Sequence, residues 1–275
     1  TREELKKIDL DYHQEHLSQL KLYAYLYGLI NNMSIVPVRL TYISVDDYKT
    51  KKFNFILTID ELKDFFYKSI DDYTRWHQTL SEASTVKLDT LKDITFPFAN
   101  KRQGQSELMK ATYLTMKANS ILYAIAPTGI GKTMATIFST LKSMTKPNEK
   151  LFYLTAKTIG REVAIDSFRM LQNEGLKLHA IVISSKAKSC ASKMQHCDPE
   201  KCSFAKGYFS RLRQAIEDIY TNEILYNQET IMKYALKYNI CPFEYSLDLS
   251  YFCDAIICDY NYVFDPNVAL KRYFG

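Results

Sequence analysis

Long apolar runs are missing from this 275-residue chain; none approaches the roughly eighteen residues of a membrane span. The opening stretch TREELKKIDL is charged and has no signal-peptide core, so a cytoplasmic protein with no membrane partner is expected. Position 1 is not a methionine, so residue 1 is not read as a native start. Glycine and proline are scarce, at 8 and 7 residues, and no low-complexity tract occurs, which argues against long disordered segments. No cysteine precedes Cys190, although six follow from there on. That placement excludes a disulfide scaffold spread through the chain and fits a local metal site in a reducing compartment. Strong charge of one sign is absent too: a net +5 permits a polyanionic partner without demanding one. Hydrophobic residues make up 47% of the chain, enough to bury a core in one large or two small domains.

The most informative stretch is 120–133, SILYAIAPTGIGKT. Its apolar run 121–126 predicts a buried parallel strand, and 134–144 predicts a helix. A glycine-rich turn between strand and helix is the setting of a P-loop, whose backbone N–H groups curl round phosphate oxygens. Pro127, Thr128, Gly129, Ile130, Gly131, Lys132 and Thr133 are the expected ATP-binding residues. Lys132 would reach the β- and γ-phosphates and Thr133 would hold Mg²⁺; these two are the expected catalytic residues. The first glycine of the general pattern is Ala126 here. The form A-P-T-G-x-G-K-T resembles motif I of superfamily 2 helicases. The preceding Arg102-Gln103-Gly104-Gln105 resembles their adenine-reading region, in which Arg102 and Gln105 would contact ATP.

Downstream, 151–155 and 178–183 predict strands and 161–172 a helix, an alternation that predicts a parallel α/β sheet. Thr155-Ala156-Lys157-Thr158 resembles motif Ia of the same helicases, which implies that Thr155, Lys157 and Thr158 contact a DNA backbone. Helices are predicted over 204–220 and 231–238, and a strand over 254–257.

Cys190, Cys197, Cys202 and Cys241 follow a C-x6-C-x4-C pattern, then a long gap and Cys-Pro. Four thiolates suit a 4Fe-4S cluster or a tetrahedral zinc; the absence of close C-x2-C pairs favours iron–sulfur. Cys253 and Cys258 flank a predicted buried strand and are read as structural, with Cys258 in place of Cys241 as the alternative ligand. Between Lys186 and Arg213 lie seven Lys or Arg and two acids, with Tyr208 and Phe209 among them. Such a segment suits single-stranded nucleic acid or a solvated face. Tyr260, Asn261 and Tyr262 would line a DNA channel or cap the last strand.

In the N-terminal part, 16–29 predicts an amphipathic helix with Leu17, Leu20, Tyr23, Ala24 and Tyr27 on one face. Residues 36–45 and 52–57 predict two strands joined by a turn at 46–50. Thr58 and Glu61 form a capping-box pattern opening a helix to about residue 80, and the polar stretch 81–93 reads as a linker. Gln19 and Tyr23 form a Q-x-x-x-Y pair that resembles the late motif of PD-(D/E)xK nucleases of the RecB/AddB type; an ordinary amphipathic helix would also carry it. Residues 1–15 hold one E-x-K triplet, Glu4-Leu5-Lys6, but no catalytic Asp and strand pair ahead of it, so no nuclease activity is expected.

The order of these motifs, with a four-cysteine insert after motif Ia, resembles the DinG/XPD-type iron–sulfur DNA helicases, closest to the bacterial DinG-like branch with an N-terminal nuclease domain. The resemblance implies an α/β fold: a RecA-like P-loop parallel sheet over 96–275 with an iron–sulfur insert at about 186–245. An α+β nuclease-domain remnant and linker would occupy 1–95. It implies ATP, Mg²⁺ and a 4Fe-4S cluster as cofactors, single-stranded or forked DNA as partner, and 5′ to 3′ unwinding in DNA repair or recombination. No D-E-x-H box and no second RecA-like motif set occur in the sequence, so a fragment inactive by itself is expected. The competing readings are a non-catalytic, metal-stapled nucleic-acid-binding module and a zinc-containing P-loop ATPase.

Overall fold

A computed structural model describes Leu5, Ile8 and residues 14–156, 158–192, 197–198 and 201–274. The chain divides into two compact units, Thr1–Thr79 with Gly207–Arg211, and Leu80–Lys206 with Leu212–Gly275.

In the first unit, α1 (Gln14–Ile30) precedes a hairpin of β1 (Ile35–Ile43) and β2 (Thr50–Thr58). The strands are antiparallel, in register from Ile35↔Thr58 to Ile43↔Thr50. Ala24, Tyr25, Val36 and Leu62 form the core, with the Tyr25 ring 4.7 Å from that of Phe66. A Cβ on Gly28 would stand 2.8 Å from both Ile59 Cδ1 and Val36 Cγ2, so glycine is what lets α1 lie this close. The predicted capping box forms at the start of α2 (Ile59–Asp93). Thr58 N–H donates to Glu61 Oε2 at 2.9 Å, and Glu61 N–H donates to Thr58 Oγ1 at 3.3 Å.

The apolar face of α1 differs in phase from the expectation. Ala24, Tyr25 and Gly28 are buried, while Tyr23 and Tyr27 are 62% and 58% exposed. With tyrosines at 23, 25 and 27, periodicity cannot say which one faces inward.

The stretch 81–93, expected as a linker, is the continuation of α2. Lys87 and Leu91 are buried, with Ser84 and Leu88 partly so; 84, 87, 88 and 91 make a helical stripe. A lysine and a serine in that stripe hid it from an apolar count. Lys87 is buried because its ammonium is satisfied internally: Nζ lies 2.7 Å from Asp254 Oδ1 and 2.7 Å from the Pro147 carbonyl.

The second unit holds α3 (Gln105–Lys117), α4 (Lys132–Ser143), β3 (Leu151–Thr155), α5 (Thr158–Asn173), β4 (Ala180–Val182) and α6 (Lys186–Ser189). Next come α7 (Tyr208–Asn222), which begins in the residues assigned to the first unit, β5 (Leu225–Tyr226), α8 (Gln228–Lys237), α9 (Pro242–Leu249) and β6 (Ala255–Asp259). Two single-turn helices follow, α10 (Asn261–Phe264) and α11 (Lys271–Phe274). The strands form an all-parallel sheet in the order β3-β6-β4-β5. Its core joins Ile137 and Leu141 of α4, Phe168 and Leu171 of α5, and Val182 and Ile257 of the sheet. The unit is therefore mixed α/β with a parallel sheet, as the alternation of elements predicts.

The strand predicted over 121–126 is not formed. The segment has no ladder partner, and Tyr123 and Ile125 are 91% and 106% exposed. Apolar sequence makes a strand only where a neighbouring backbone supplies hydrogen bonds.

Candidate nucleotide-binding loop

The turn before α4 is built by glycines in the left-handed region: Gly129 at φ 85 and Gly131, the N-cap of α4, at φ 80. A Cβ on Gly131 would stand 2.5 Å from Gln105 Nε2. Arg102 and Gln105, expected to contact ATP, lie against the loop. Gln105, buried at the start of α3, donates from Nε2 to the Gly131 carbonyl at 3.3 Å, and its Oε1 accepts Arg102 N–H at 3.0 Å. The Arg102 guanidinium donates to the Gly129 carbonyl. Both ends of the Gln105 amide are thus engaged by protein, so here Gln105 positions the loop. The base-reading role assigned from sequence requires it to exchange those partners.

Lys132 Nζ donates to the carbonyls of Ala126 (2.9 Å) and Pro127 (2.8 Å). Tyr153 OH, from β3, donates to Thr133 Oγ1 at 3.2 Å. Ile130 and Met134 are buried and anchor the loop and the helix behind it. The result is a turn with two glycines, the amino end of α4 and an exposed lysine, chemistry suited to an anion.

The four predicted metal-ligand cysteines have different settings. Cys190 and Cys197 are exposed, Cys202 is buried, and Cys241, the N-cap of α9, lies between these extremes. The Lys186 ammonium bonds the Cys197 thiol and feels Cys241, and its pKa is raised chiefly by that Cys197 contact. Burial pushes the Cys241 thiol up, opposed by the N–H groups of Glu244 and Phe243. Among the described residues, no three His, Cys, Asp or Glu side chains are grouped to hold a metal ion. The described thiols as placed do not form a ligand cage. Cys253 and Cys258 are fully buried, and burial pushes the Cys258 thiol up to about 12.

Of the expected DNA contacts, Thr155 is 8% exposed and its hydroxyl is enclosed without a partner, so it does not face a phosphate. Lys157 lies outside the described residues, and Thr158 opens α5. In the first unit, Gln19 Nε2 donates to Tyr23 OH at 3.1 Å on an exposed helix face. Sequence reasoning missed Arg161, which lines a crevice at the carboxyl edge of the sheet together with Lys188 of the basic stretch 186–213. Only the helical phase of α5 and the fold of α6 bring them there.

Among the described residues, no helix is long and apolar enough to cross a membrane. Residues 169–273 match the DEAD_2 family model. No curated protein matches the chain. Solved structures similar to it include "XPD_Helicase", at 20% identity and TM-score 0.43 over 64% of this chain and 30% of that one. "Truncated XPD" is similar at 18% identity and TM-score 0.43 over 61% of this chain and 47% of that one. The chain thus spans less than half the length of either structure.

Proposed function

We infer that this chain is part of an ATP-dependent DNA helicase of the XPD/DinG type, and that its second unit carries the nucleotide-binding half of a RecA-like motor. The observation that carries the reading is the loop 126–133, held from behind by Gln105 and Arg102. The DEAD_2 match over 169–273 supports it independently, because that match begins well after the loop. ATP and Mg²⁺ are the proposed cofactors. Lys132 would exchange its two carbonyl partners for β- and γ-phosphate oxygens, and Thr133 would hold the metal. Coupling of hydrolysis to 5′ to 3′ movement on single-stranded or forked DNA, and a role in repair, are proposed for the longer protein.

An iron–sulfur cluster on Cys190, Cys197, Cys202 and Cys241 rests on the cysteine pattern and on Lys186 lying beside two of those thiols. Iron and acid-labile sulfide in anaerobically purified protein support it; one zinc per chain overturns it. The nuclease-remnant reading of the first unit rests on the Gln19–Tyr23 pair and on the two strands that follow its helix.

Titration of Mg-ADP by calorimetry tests the nucleotide site. Binding that is lost in Lys132→Ala is expected. Absence of binding at millimolar nucleotide, or equal binding in Lys132→Ala, overturns the reading.

A further inference from the structure

Thr133 lies in the first turn of α4, yet its hydroxyl does not bond its own helix. A helical threonine divides between two χ1 rotamers, because its Oγ can reach the carbonyl three or four residues back. Thr136, one turn on, takes that bond: its Oγ1 donates to the Lys132 carbonyl at 2.9 Å, with the Thr133 carbonyl at 3.1 Å. Thr112 in α3 does the same, donating to the Leu108 carbonyl at 2.8 Å. For Thr133 the carbonyl four residues back is that of Gly129, which already accepts the Arg102 guanidinium. Its Oγ1 instead accepts the Tyr153 O–H at 3.2 Å, and among the described residues this is the hydroxyl's one hydrogen bond.

Tyr153 is a firm post for that bond. It sits on β3, where it is in register with Ile257 of β6, and its ring packs against the buried core of the second unit. A tyrosine has only two side-chain torsions, so a ring held by packing carries its O–H to one place. The bond also leaves Thr133 with unused capacity. A hydroxyl has two lone pairs and one proton. Tyr153 takes one lone pair, which leaves the other for a cation and the proton for an acceptor such as a phosphate oxygen. Hard cations such as Mg²⁺ take oxygen ligands, so the donor present fits the ion proposed for this loop.

We propose that Tyr153 is a positioning residue for Mg²⁺ at the nucleotide site: from β3 its phenol selects the Thr133 rotamer and so presents the hydroxyl oxygen to the metal. The proposal rests on the reading of 126–133 as a nucleotide-binding loop. It adds a side chain from outside that loop, to which the sequence assigned only a place in a strand.

The test is calorimetric titration of the non-hydrolysable ATP analogue adenylyl imidodiphosphate, with excess Mg²⁺ and again in EDTA, on wild type, Tyr153→Phe, Thr133→Val and the double variant. Phenylalanine keeps the ring packing, so the melting temperature without ligand should hold. Tyr153→Phe should match wild type in EDTA and lose at least tenfold of the affinity that Mg²⁺ adds, the effect typical of removing an outer partner of a metal ligand. Thr133→Val should lose the Mg²⁺ effect, and adding Tyr153→Phe to it should change nothing more. An unchanged Mg²⁺ response in Tyr153→Phe overturns the role. So does equal weakening with and without Mg²⁺, which marks general packing of the loop, and so do additive losses in the double variant. Wild-type binding that is lost in Lys132→Ala but indifferent to Mg²⁺ overturns this inference and leaves the nucleotide-binding loop standing. Failure of the wild type to bind at all sinks both.

Discussion

The Lys87 ammonium, on a side chain that is 1% exposed, lies 2.7 Å from the carboxylate of Asp254, 167 positions further along the chain. Asp254 also accepts the His179 N–H at 3.1 Å, so one carboxylate ties α2, the start of β4 and the start of β6. Removing one partner of a buried pair leaves the other charge uncompensated. Lys87→Met should therefore cost about 3–5 kcal/mol in urea unfolding. The double variant Lys87→Met/Asp254→Asn should cost less than the sum of the two single changes, since both report one interaction. Additive costs would mean the pair is not coupled.

His179 gives the second unit an acid-sensitive element. Burial pushes its pKa from 6.5 down to about 4, offset in part by Asp254 and reinforced by Lys87. Its ring stacks on Tyr220 at 3.8 Å, and Nδ1 meets Tyr226 OH. The folded-state pKa is the lower one, so between pH 6.5 and about 4 the unfolded chain binds a proton that the folded chain refuses. Stability from this group is complete above pH 6.5 and falls as the pH drops through that window, by an amount on the order of 3 kcal/mol. His179→Asn should flatten the urea midpoint between pH 6.5 and 4.5; an unaltered pH slope would show that another group titrates.

Gly129 and Gly131 both sit at positive φ, but a Cβ meets nothing within 4 Å at Gly129 and the Gln105 amide at 2.5 Å at Gly131. Gly129→Ala should carry only left-handed strain, about 1–2 kcal/mol. Gly131→Ala should add a displaced Gln105 and lose Mg-ADP binding more than tenfold beyond Gly129→Ala. Adding Gln105→Ala to Gly131→Ala should restore part of the stability by removing the clash. Equal behaviour of the two alanine variants would show that Gln105 does not brace the loop.

The lone segment 121–126 predicts a hydrogen-exchange pattern. Its backbone has no ladder partner, so its amides should exchange within seconds at neutral pH, while those of β6, buried between β3 and β4, persist far longer. Protection of 121–126 equal to that of β6 would reveal a strand neighbour for it.

In the first unit, Thr58→Ala removes the hydroxyl that accepts Glu61 N–H and donates to Glu61 Oε2 at 2.8 Å. The Glu61 carboxyl, held below its usual range chiefly by the Thr58 backbone N–H, keeps that bond in the variant. A fall of a few degrees in melting temperature is expected, and Thr58→Ser should recover most of it. No difference between alanine and serine would mean the box does not stabilise α2.

Local rules made part of this protein legible from its residues alone. The glycine turn before α4, the Thr58–Glu61 box and the strand–helix alternation of 151–183 each depend on neighbours a few positions apart, where backbone sterics and periodicity decide. The tertiary structure decided what those rules cannot reach. Lys87 turned a polar stretch into helix because its charge found Asp254. Residues 121–126, apolar enough for a strand, found no backbone to pair with. Thr155 went inward while Arg161, unmarked by any motif, met Lys188 of the basic stretch at the sheet edge. Burial, charge pairing and ladder formation all require a partner distant in sequence, and only the folded chain supplies it.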